Sequence, residues 1–243
     1  MSDALRPFTI AVPDADLEDL RERLRRTRWP DRETCEGWDQ GIPLAYTREL
    51  AAYWAEAYDW RRCEALLNGW PQFTTTIDGV DIHFLHRRSP DPEALPLVIT
   101  HGWPGSLIEF HKVIEPLADP AAHGGDALDA FHVVVPSLPG YGFSGKPARP
   151  GMGVEAIGRC WGRLMARLGY DRYVAQGGDW GSAVTLSMAR TETTHCAGVH
   201  VNMPIVAPDP ETIDAPTAQE QRAFAAMEFY NRWDSGYSKQ QAT

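Results

Sequence analysis

The sequence predicts an α/β protein: a mostly parallel sheet flanked by helices, with an N-terminal helical segment before it and the start of a cap after it. Three observations carry that expectation. Between about residue 73 and residue 202, short apolar runs alternate with amphipathic stretches, the pattern of strands joined by helical crossovers. Ahead of this region the chain is rich in tryptophan and in leucines at helical spacing. From Pro208 the texture changes to Pro, Asp and Thr, then to a last helical stretch. The expected division is an N-terminal helical segment over 1–71, the first part of an α/β core over 72–205, and the beginning of a cap over 206–243.

Composition narrows the function classes. With 243 residues, 43% of them hydrophobic, and nine tryptophans, the chain can bury a sizeable core, which excludes a disordered protein. A net charge of −10 without a basic stripe argues against partners such as nucleic acid or an anionic membrane. The arginines from Arg21 to Arg28 are interrupted by Glu22 and Leu24 and suit a solvated helix face better than a phosphate site. The four cysteines, Cys35, Cys63, Cys160 and Cys196, lie far apart, with no C-x-x-C and no histidine at ligand spacing. No metal, no redox pair and no organic cofactor are expected, and reduced thiols point to a cytoplasmic protein. The N-terminus, Met1 to Pro7, has no apolar leader core, and no later run reaches the roughly 20 residues that span a bilayer.

The elements follow in order. Asp14, after Pro13, is expected to cap a first helix; Asp16, Glu18 and Asp19 sit in its early turns, and Leu17, Leu20 and Leu24 form its apolar stripe. Trp29-Pro30 should stop it. A second helix begins near Pro43 with Leu50, Tyr53, Trp54 and Ala57 on its buried face, and Asp59 to Leu67 forms a third. Phe73–Ile77, Asp78-Gly79 and Val80–His86 read as a β-hairpin. Leu97–Thr100 is a strand leading through His101-Gly102-Trp103-Pro104-Gly105-Ser106 to a helix over about 107–117. Phe131–Val135, Tyr173–Gln176 and Gly198–Asn202 are further strands, and Val154–Leu168 a further amphipathic helix. Gly140-Tyr141-Gly142-Phe143-Ser144-Gly145 matches G-x-G-x-x-G, but Lys146-Pro147 follows where a dinucleotide site needs a helix to open. It is expected to be a turn at the rim of the site.

One stretch carries chemistry. Gln176-Gly177-Gly178-Asp179-Trp180-Gly181-Ser182 takes a strand through glycines into a helix-forming run, Ala183 to Arg190, with a carboxylate at the corner. That is the arrangement of the nucleophile elbow of α/β-hydrolases, where small flanking residues are needed because the turn leaves no room for a Cβ. Gly177, Gly178, Gly181 and Ser182 meet that need around Asp179. Serine candidates fail: Ser182 would need small residues where Trp180 and Val184 stand, and Ser144 lacks a second glycine in register. An aspartate nucleophile is expected.

The chain resembles the epoxide hydrolases of the α/β-hydrolase superfamily, in the microsomal-type branch with its own N-terminal domain. Arg6 to Leu24 with Trp29-Pro30 resembles the start of that domain, His101 to Ser106 resembles the HGWPGS oxyanion loop, and Gly178-Asp179-Trp180-Gly181 resembles the elbow. Asp234 to Thr243 resembles the cap segment that presents one epoxide-binding tyrosine, which falls on Tyr237. The resemblance implies attack of Asp179 on an epoxide carbon to give an ester, with Tyr237 hydrogen-bonding the epoxide oxygen. It implies an oxyanion hole made by the backbone N–H groups of Trp103 and Trp180, and hydrolysis of the ester by water. The substrate is expected to be a small apolar or aromatic epoxide, with no cofactor.

In this fold the acid and histidine of the second half-reaction follow the cap. The chain stops at Thr243 inside the expected cap, and the two histidines after Asp179, His195 and His200, lack the family's position. The expectation is therefore a C-terminal part of the fold beyond this chain, which is its partner, and no turnover by the 243 residues alone. Two other readings compete. A haloalkane dehalogenase also uses aspartate at such an elbow, but typically has asparagine where Trp103 stands and lacks the N-terminal segment. A non-catalytic binding protein of this fold would have no use for a strained elbow.

Overall fold

The computed structural model describes residues 4–204, 208–211 and 213–242. They form two compact units, Met1–Met203 and Pro204–Thr243. The expected core–cap boundary at 205/206 lies outside the described residues, as do Met1 to Asp3 and Thr243.

The first unit is organised by strands β1 (Arg6–Phe8), β2 (Gln72–Ile77), β3 (Val80–Arg87), β4 (Leu95–Thr100), β5 (Phe131–Pro136), β6 (Tyr173–Gly177) and β7 (Cys196–Val201). Among the described residues they make one sheet in the order β1-β2-β3-β5-β4-β6-β7. The α/β class holds, but the sheet is mixed rather than mostly parallel: β1–β2, β2–β3 and β3–β5 pair antiparallel, and β4–β5, β4–β6 and β6–β7 parallel. The hairpin is one cause, since a two-residue turn forces its strands to run in opposite directions. Asp78 and Gly79 both take positive φ, 51° and 81°, as a type I′ turn demands, and Ile77 pairs with Val80. The other cause is β1, a strand within the segment read as helical.

Side chains alternate across the sheet, so each central strand feeds two cores. Phe84, Val98 and Val134 face a layer with Trp161, Leu164, Met165, Val184 and Met188. Leu85, Leu97, Ile99, Val133 and Val135 face the other, with Leu107 and Ile114 and with Ile10, Leu67 and Trp70 from the N-terminal segment. Ile10 is held there by Asn68, which accepts from its N–H at 2.9 Å and donates to its carbonyl at 2.8 Å.

Helix α1 (Asp14–Arg25) differs from expectation at both ends. Pro13 is its N-cap; Asp14 is already helical and bonds Arg61 at 2.5 Å instead of capping. The helix closes at Arg25, before Trp29-Pro30, because Thr27 N–H turns back to Leu24 O in a tightened last turn. The arginines pair along the exposed face, Arg21 and Arg25 with Glu18 and Arg23 with Asp19. Helix α2 (Leu44–Glu56) starts where expected but buries only Ala55, while Leu50, Tyr53 and Trp54 are about half exposed and Ala57 is exposed. Leu50, Tyr53 and Trp54 line an open apolar groove of about 620 Å³ shared with Leu17 and Leu20, so α1 and α2 meet across a gap. Helix α3 (Trp60–Asn68) is capped by Asp59, whose side chain accepts from Arg61 N–H.

The expected helix over 107–117 is two pieces, a 3₁₀ turn Leu107–Phe110 and α4 (Ile114–Ala118). Pro116 explains the break: its ring would clash with the carbonyl four residues back in a continuous helix. Helices α5 (Val154–Arg167) and α6 (Trp180–Thr191) pack together on one face of the sheet. Short α4 leaves the opposite face less covered than expected. An apolar hollow of about 730 Å³ lies over Leu97, Ile99, Val174 and Val199.

In the second unit, Thr217 and Glu220 form a reciprocal capping box that starts α7 (Ala218–Phe229). A π-helical turn, Tyr230–Asp234, leads to α8 (Gly236–Ala242).

Candidate active site

Parallel neighbours end on the same side of a sheet, and ligands of open α/β sheets gather at those carboxyl ends. Strands β4 and β6 are parallel neighbours with Thr100 opposite Gly177. The loop after β4, His101 to Ser106, and the turn after β6, Gly178-Asp179, therefore leave the sheet side by side although 76 residues separate Trp103 from Asp179.

Asp179 sits between β6 and α6 at φ 52° and ψ −126°. A non-glycine residue at positive φ costs of the order of 1–3 kcal/mol and persists only when its surroundings impose it. They do so here by contact. A Cβ on Gly177 would overlap the Gly181 carbonyl, one on Gly181 would overlap the Thr100 carbonyl, and one on Gly102 would overlap the Asp179 carboxylate. A Cβ on Gly178 would come to 3.0 Å from the Asn202 amide. Ser182 is buried and its Oγ donates to Gly177 O at 2.8 Å, tying the first turn of α6 back to the strand. Small residues at these positions are thus required by the approach of three backbone segments.

The Trp103 N–H donates to Asp179 Oδ1 at 2.8 Å. Trp180 is the first helical residue of α6, so its N–H has no acceptor within the helix, and the positive end of the helix dipole lies beside the carboxylate. Trp103 and Trp180 are both exposed, at 44% and 55%, while their backbones lie beside the Asp179 carboxylate. The loop is fixed from below by His101, whose Nδ1 lies 2.9 Å from Gly102 O and whose Nε2 accepts from Leu138 N–H at 3.1 Å. Burial lowers the His101 pKa, so the ring is neutral with the proton on Nδ1. Trp161 Nε1–H donates to Thr100 Oγ1 at 3.1 Å and anchors the end of β4.

Two side chains stand at the site that the sequence reading does not single out. Asn202 lies against Gly178 at the end of β7, and no motif marks it. Glu109 rests its carboxylate on Gly105, and Ser106-x-x-Glu109 is a capping-box spacing that could have drawn attention to it. Burial raises the Glu109 pKa, the Ser106 N–H pulls it down, and the negative charge of Asp179 raises it further.

His195 is bonded to Asp171 O at 2.8 Å and precedes β7, at the opposite end of the sheet from Asp179. His200 lines the apolar hollow. The loop 140–145 is closed on itself: Gly140 N–H reaches Gly145 O at 2.9 Å, Gly145 N–H reaches Asp81 O at 2.7 Å, and Ser144 Oγ donates to Ser137 O at 2.7 Å. The next helix begins only at Val154. Tyr237 belongs to the second unit, in the first turn of α8, with its ring 61% exposed.

An aspartate held at a strained corner, with a backbone donor already on one oxygen, leaves its second oxygen available for attack on an electrophilic carbon. The same donor can hold the negative charge that appears when the resulting ester is itself attacked.

Two family models match the chain: the epoxide hydrolase N terminus over residues 5–110 and the alpha/beta hydrolase fold over residues 96–236. A protein of Stigmatella aurantiaca (strain DW4/3-1) whose name places it among the epoxide hydrolases is 52% identical over 239 residues, 98% of this chain and 54% of that protein. Epoxide hydrolase 1 of Oryctolagus cuniculus is 36% identical over 208 residues, 84% of this chain and 46% of the relative. The structure of Aspergillus niger epoxide hydrolase matches with a TM-score of 0.82 at 33% identity, over 99% of this chain and 63% of that one. The chain spans about half the length of the curated relatives it matches.

Proposed function

Given that the chain belongs to the α/β-hydrolase fold family, in its epoxide hydrolase branch, we propose that the protein converts an epoxide to a vicinal diol through an ester on Asp179. The observation that supports this most directly is the 2.8 Å hydrogen bond from Trp103 N–H to Asp179 Oδ1. The oxygen so held becomes the ester carbonyl oxygen once the other has attacked, and then the oxyanion once water has added. The donor is aimed in the free protein at the atom where charge develops, which is what preorganised stabilisation requires.

In the first half-reaction Asp179 Oδ2 bonds to an epoxide carbon and the C–O bond of the ring breaks. Its electron pair goes to the epoxide oxygen, which takes a proton or hydrogen bond from the Tyr237 phenol. The support for Tyr237 is the likeness of segment 234–243 to a family cap. In the second, water adds to the ester carbonyl carbon, and the N–H groups of Trp103 and Trp180 hold the oxyanion. The carbonyl re-forms, the diol oxygen leaves with a proton, and Asp179 is free again. Losing one such donor costs about 3–4 kcal/mol of barrier, so the two N–H groups account for much of this step.

Deprotonating the water needs a base. Among the described residues, His101 has both ring nitrogens engaged, His195 stands at the far end of the sheet and His200 lines the apolar hollow. The 243-residue chain alone is expected to stop at the ester. The exposed tryptophans flanking Asp179 in the loop and helix, Trp103 and Trp180, support a small apolar or aromatic epoxide as substrate. Among the described residues no helix is long and apolar enough to cross a membrane, and the four unpaired cysteines favour the cytoplasm.

The test is intact mass after incubation with an aryl epoxide. One epoxide mass per chain is expected, and none for Asp179→Asn. An adduct that persists in that variant, or bromide released from a bromoalkane with no epoxide adduct, would overturn the proposal.

A further inference from the structure

Glu109 has no part in the steps above, yet its carboxylate is built into the loop that presents the Trp103 N–H. The Glu109 N–H donates to Ser106 O at 3.1 Å, and the Ser106 backbone N–H lies close enough to the Glu109 carboxylate to favour its charged form. The carboxylate fills the space where any Cβ on Gly105 would go, so glycine at 105 leaves room for Glu109 to pack against the loop backbone. Gly105 N–H in turn donates to Gly102 O at 3.0 Å, closing the turn around Trp103-Pro104. At the start of that turn, Gly102 takes the Asp179 carboxylate in the same way. Two carboxylates thus rest on two glycines of one short turn, which is an unfavourable place for a second negative charge. Burial and the charge of Asp179 both oppose ionisation of Glu109. A capping glutamate could serve the 3₁₀ turn from the solvent side without that cost, so its placement against Gly105 calls for a role in the loop itself.

We propose that Glu109 is a positioning residue, which clamps the 102–106 turn through Gly105 and Ser106 so that the Trp103 N–H stays aimed at Asp179. Its consequence for catalysis rests on Asp179 being the ester-forming residue; its consequence for the loop does not. A residue that acts through a backbone donor changes the rate of ester formation and the protection of that donor together. A glutamate that only caps a helical turn changes neither.

The experiment compares the parent chain, Glu109→Gln and Glu109→Ala by amide hydrogen exchange resolved at Trp103 and by the single-turnover rate of ester formation with an aryl epoxide. Glutamine keeps an oxygen that can accept from Ser106 N–H; alanine keeps nothing. In Glu109→Ala the Trp103 amide should exchange at least about tenfold faster than in the parent, while the Val98 and Ile99 amides of β4 keep their protection. Ester formation in that variant should slow by about 10- to 100-fold, short of the loss of a whole oxyanion donor. Glu109→Gln should stay within about threefold of the parent in both readouts, since a neutral acceptor replaces a charged one. Unchanged Trp103 exchange in Glu109→Ala overturns the proposal. So does Glu109→Gln failing as badly as Glu109→Ala, which would make the charge and not the acceptor the working feature. So too does a parent chain that turns over while Glu109→Gln stalls at the ester, which would make Glu109 the base. If the parent forms no ester but Trp103 loosens in Glu109→Ala, the positioning role stands and the epoxide chemistry fails.

Discussion

Replacing Gly181 by alanine drives a Cβ into the Thr100 carbonyl at the end of β4. The obstacle is backbone, not the tip of a flexible side chain, and it has little freedom to retreat. Thr100 is fully buried, its hydroxyl is held by the Trp161 indole at 3.1 Å, and its carbonyl also accepts from Gly178 N–H at 3.4 Å. Relief requires the start of α6 to move away from β4, and that movement separates Asp179 from the loop carrying Trp103. Overpacking of this kind costs about 1–3 kcal/mol. At roughly 2–4 °C per kcal/mol for a chain of this size, the midpoint of unfolding should fall by about 2–12 °C. A misplacement near 1 Å between donor and carboxylate should slow ester formation by about 100-fold. Gly198→Ala is the control: its Cβ would meet only Val174 Cγ1 at 3.7 Å, an ordinary contact. Thermal unfolding and single-turnover ester formation, measured on both variants, decide the matter. A Gly181→Ala protein that unfolds within about 1 °C of the parent and forms ester at the parental rate would refute the steric account of the elbow.

Further outcomes follow from the same structure. Gly178→Ala meets a side-chain amide at 3.0 Å, which can turn aside, so ester formation should fall by less than about tenfold; a loss matching Gly181→Ala would show that Asn202 is itself immobile. Tyr237→Phe should slow ester formation by about 100-fold, the usual worth of a general acid, and leave unfolding unchanged because the phenol is exposed; an unchanged rate would remove Tyr237 from the mechanism. Burial lowers His83 to about 4, and burial followed by the charges of Arg88 and His132 lowers His86 to about 4. Each binds its proton near 6.5 when unfolded, so the unfolded state takes up protons first as pH falls. Stability is unaffected above pH 6.5 and declines from there to about pH 4, by around 3 kcal/mol for each. His83→Gln should flatten that decline in a pH series of unfolding midpoints, and an unaltered slope would show that other groups carry it.

Much of the architecture was legible in the sequence because it is written locally. The hairpin follows from Asp78-Gly79 between apolar runs, and strands β4 to β7 from short apolar runs bounded by turn residues. The elbow could be read because its steric demand, small residues around one reactive side chain, is a demand on neighbours in the chain. What was not legible depends on distant partners. Arg6–Phe8 is a strand only because β2 offers it an edge, and nothing in three residues announces that. The side chains Leu50, Tyr53 and Trp54 have helical spacing and an apolar character that predict burial, but burial needs a facing surface, and α1 leaves a groove there. Part of the mixed character of the sheet comes from the antiparallel placement of β3 beside β5, which no local pattern encodes. At the site, Asn202 matters through its contact with Gly178, 24 residues away, which no local pattern announces, whereas Glu109 carried a local capping-box signal whose partner glycine was not legible. Trp103 was named from a motif, and the parallel pairing of β4 with β6 supplies the physical reason it meets Asp179.

The proposed chemistry comes down to a single bond, between an Asp179 carboxylate oxygen and a carbon of an epoxide. Its most direct measurement is peptide mapping by mass spectrometry after the chain is incubated with an aryl epoxide and quenched in acid. The expected result is one peptide heavier by the mass of the epoxide, with fragmentation placing the addition on Asp179 and mild base removing it as a diol. An adduct on any other residue, or a base-stable one, would contradict the ester and with it the reading of this elbow.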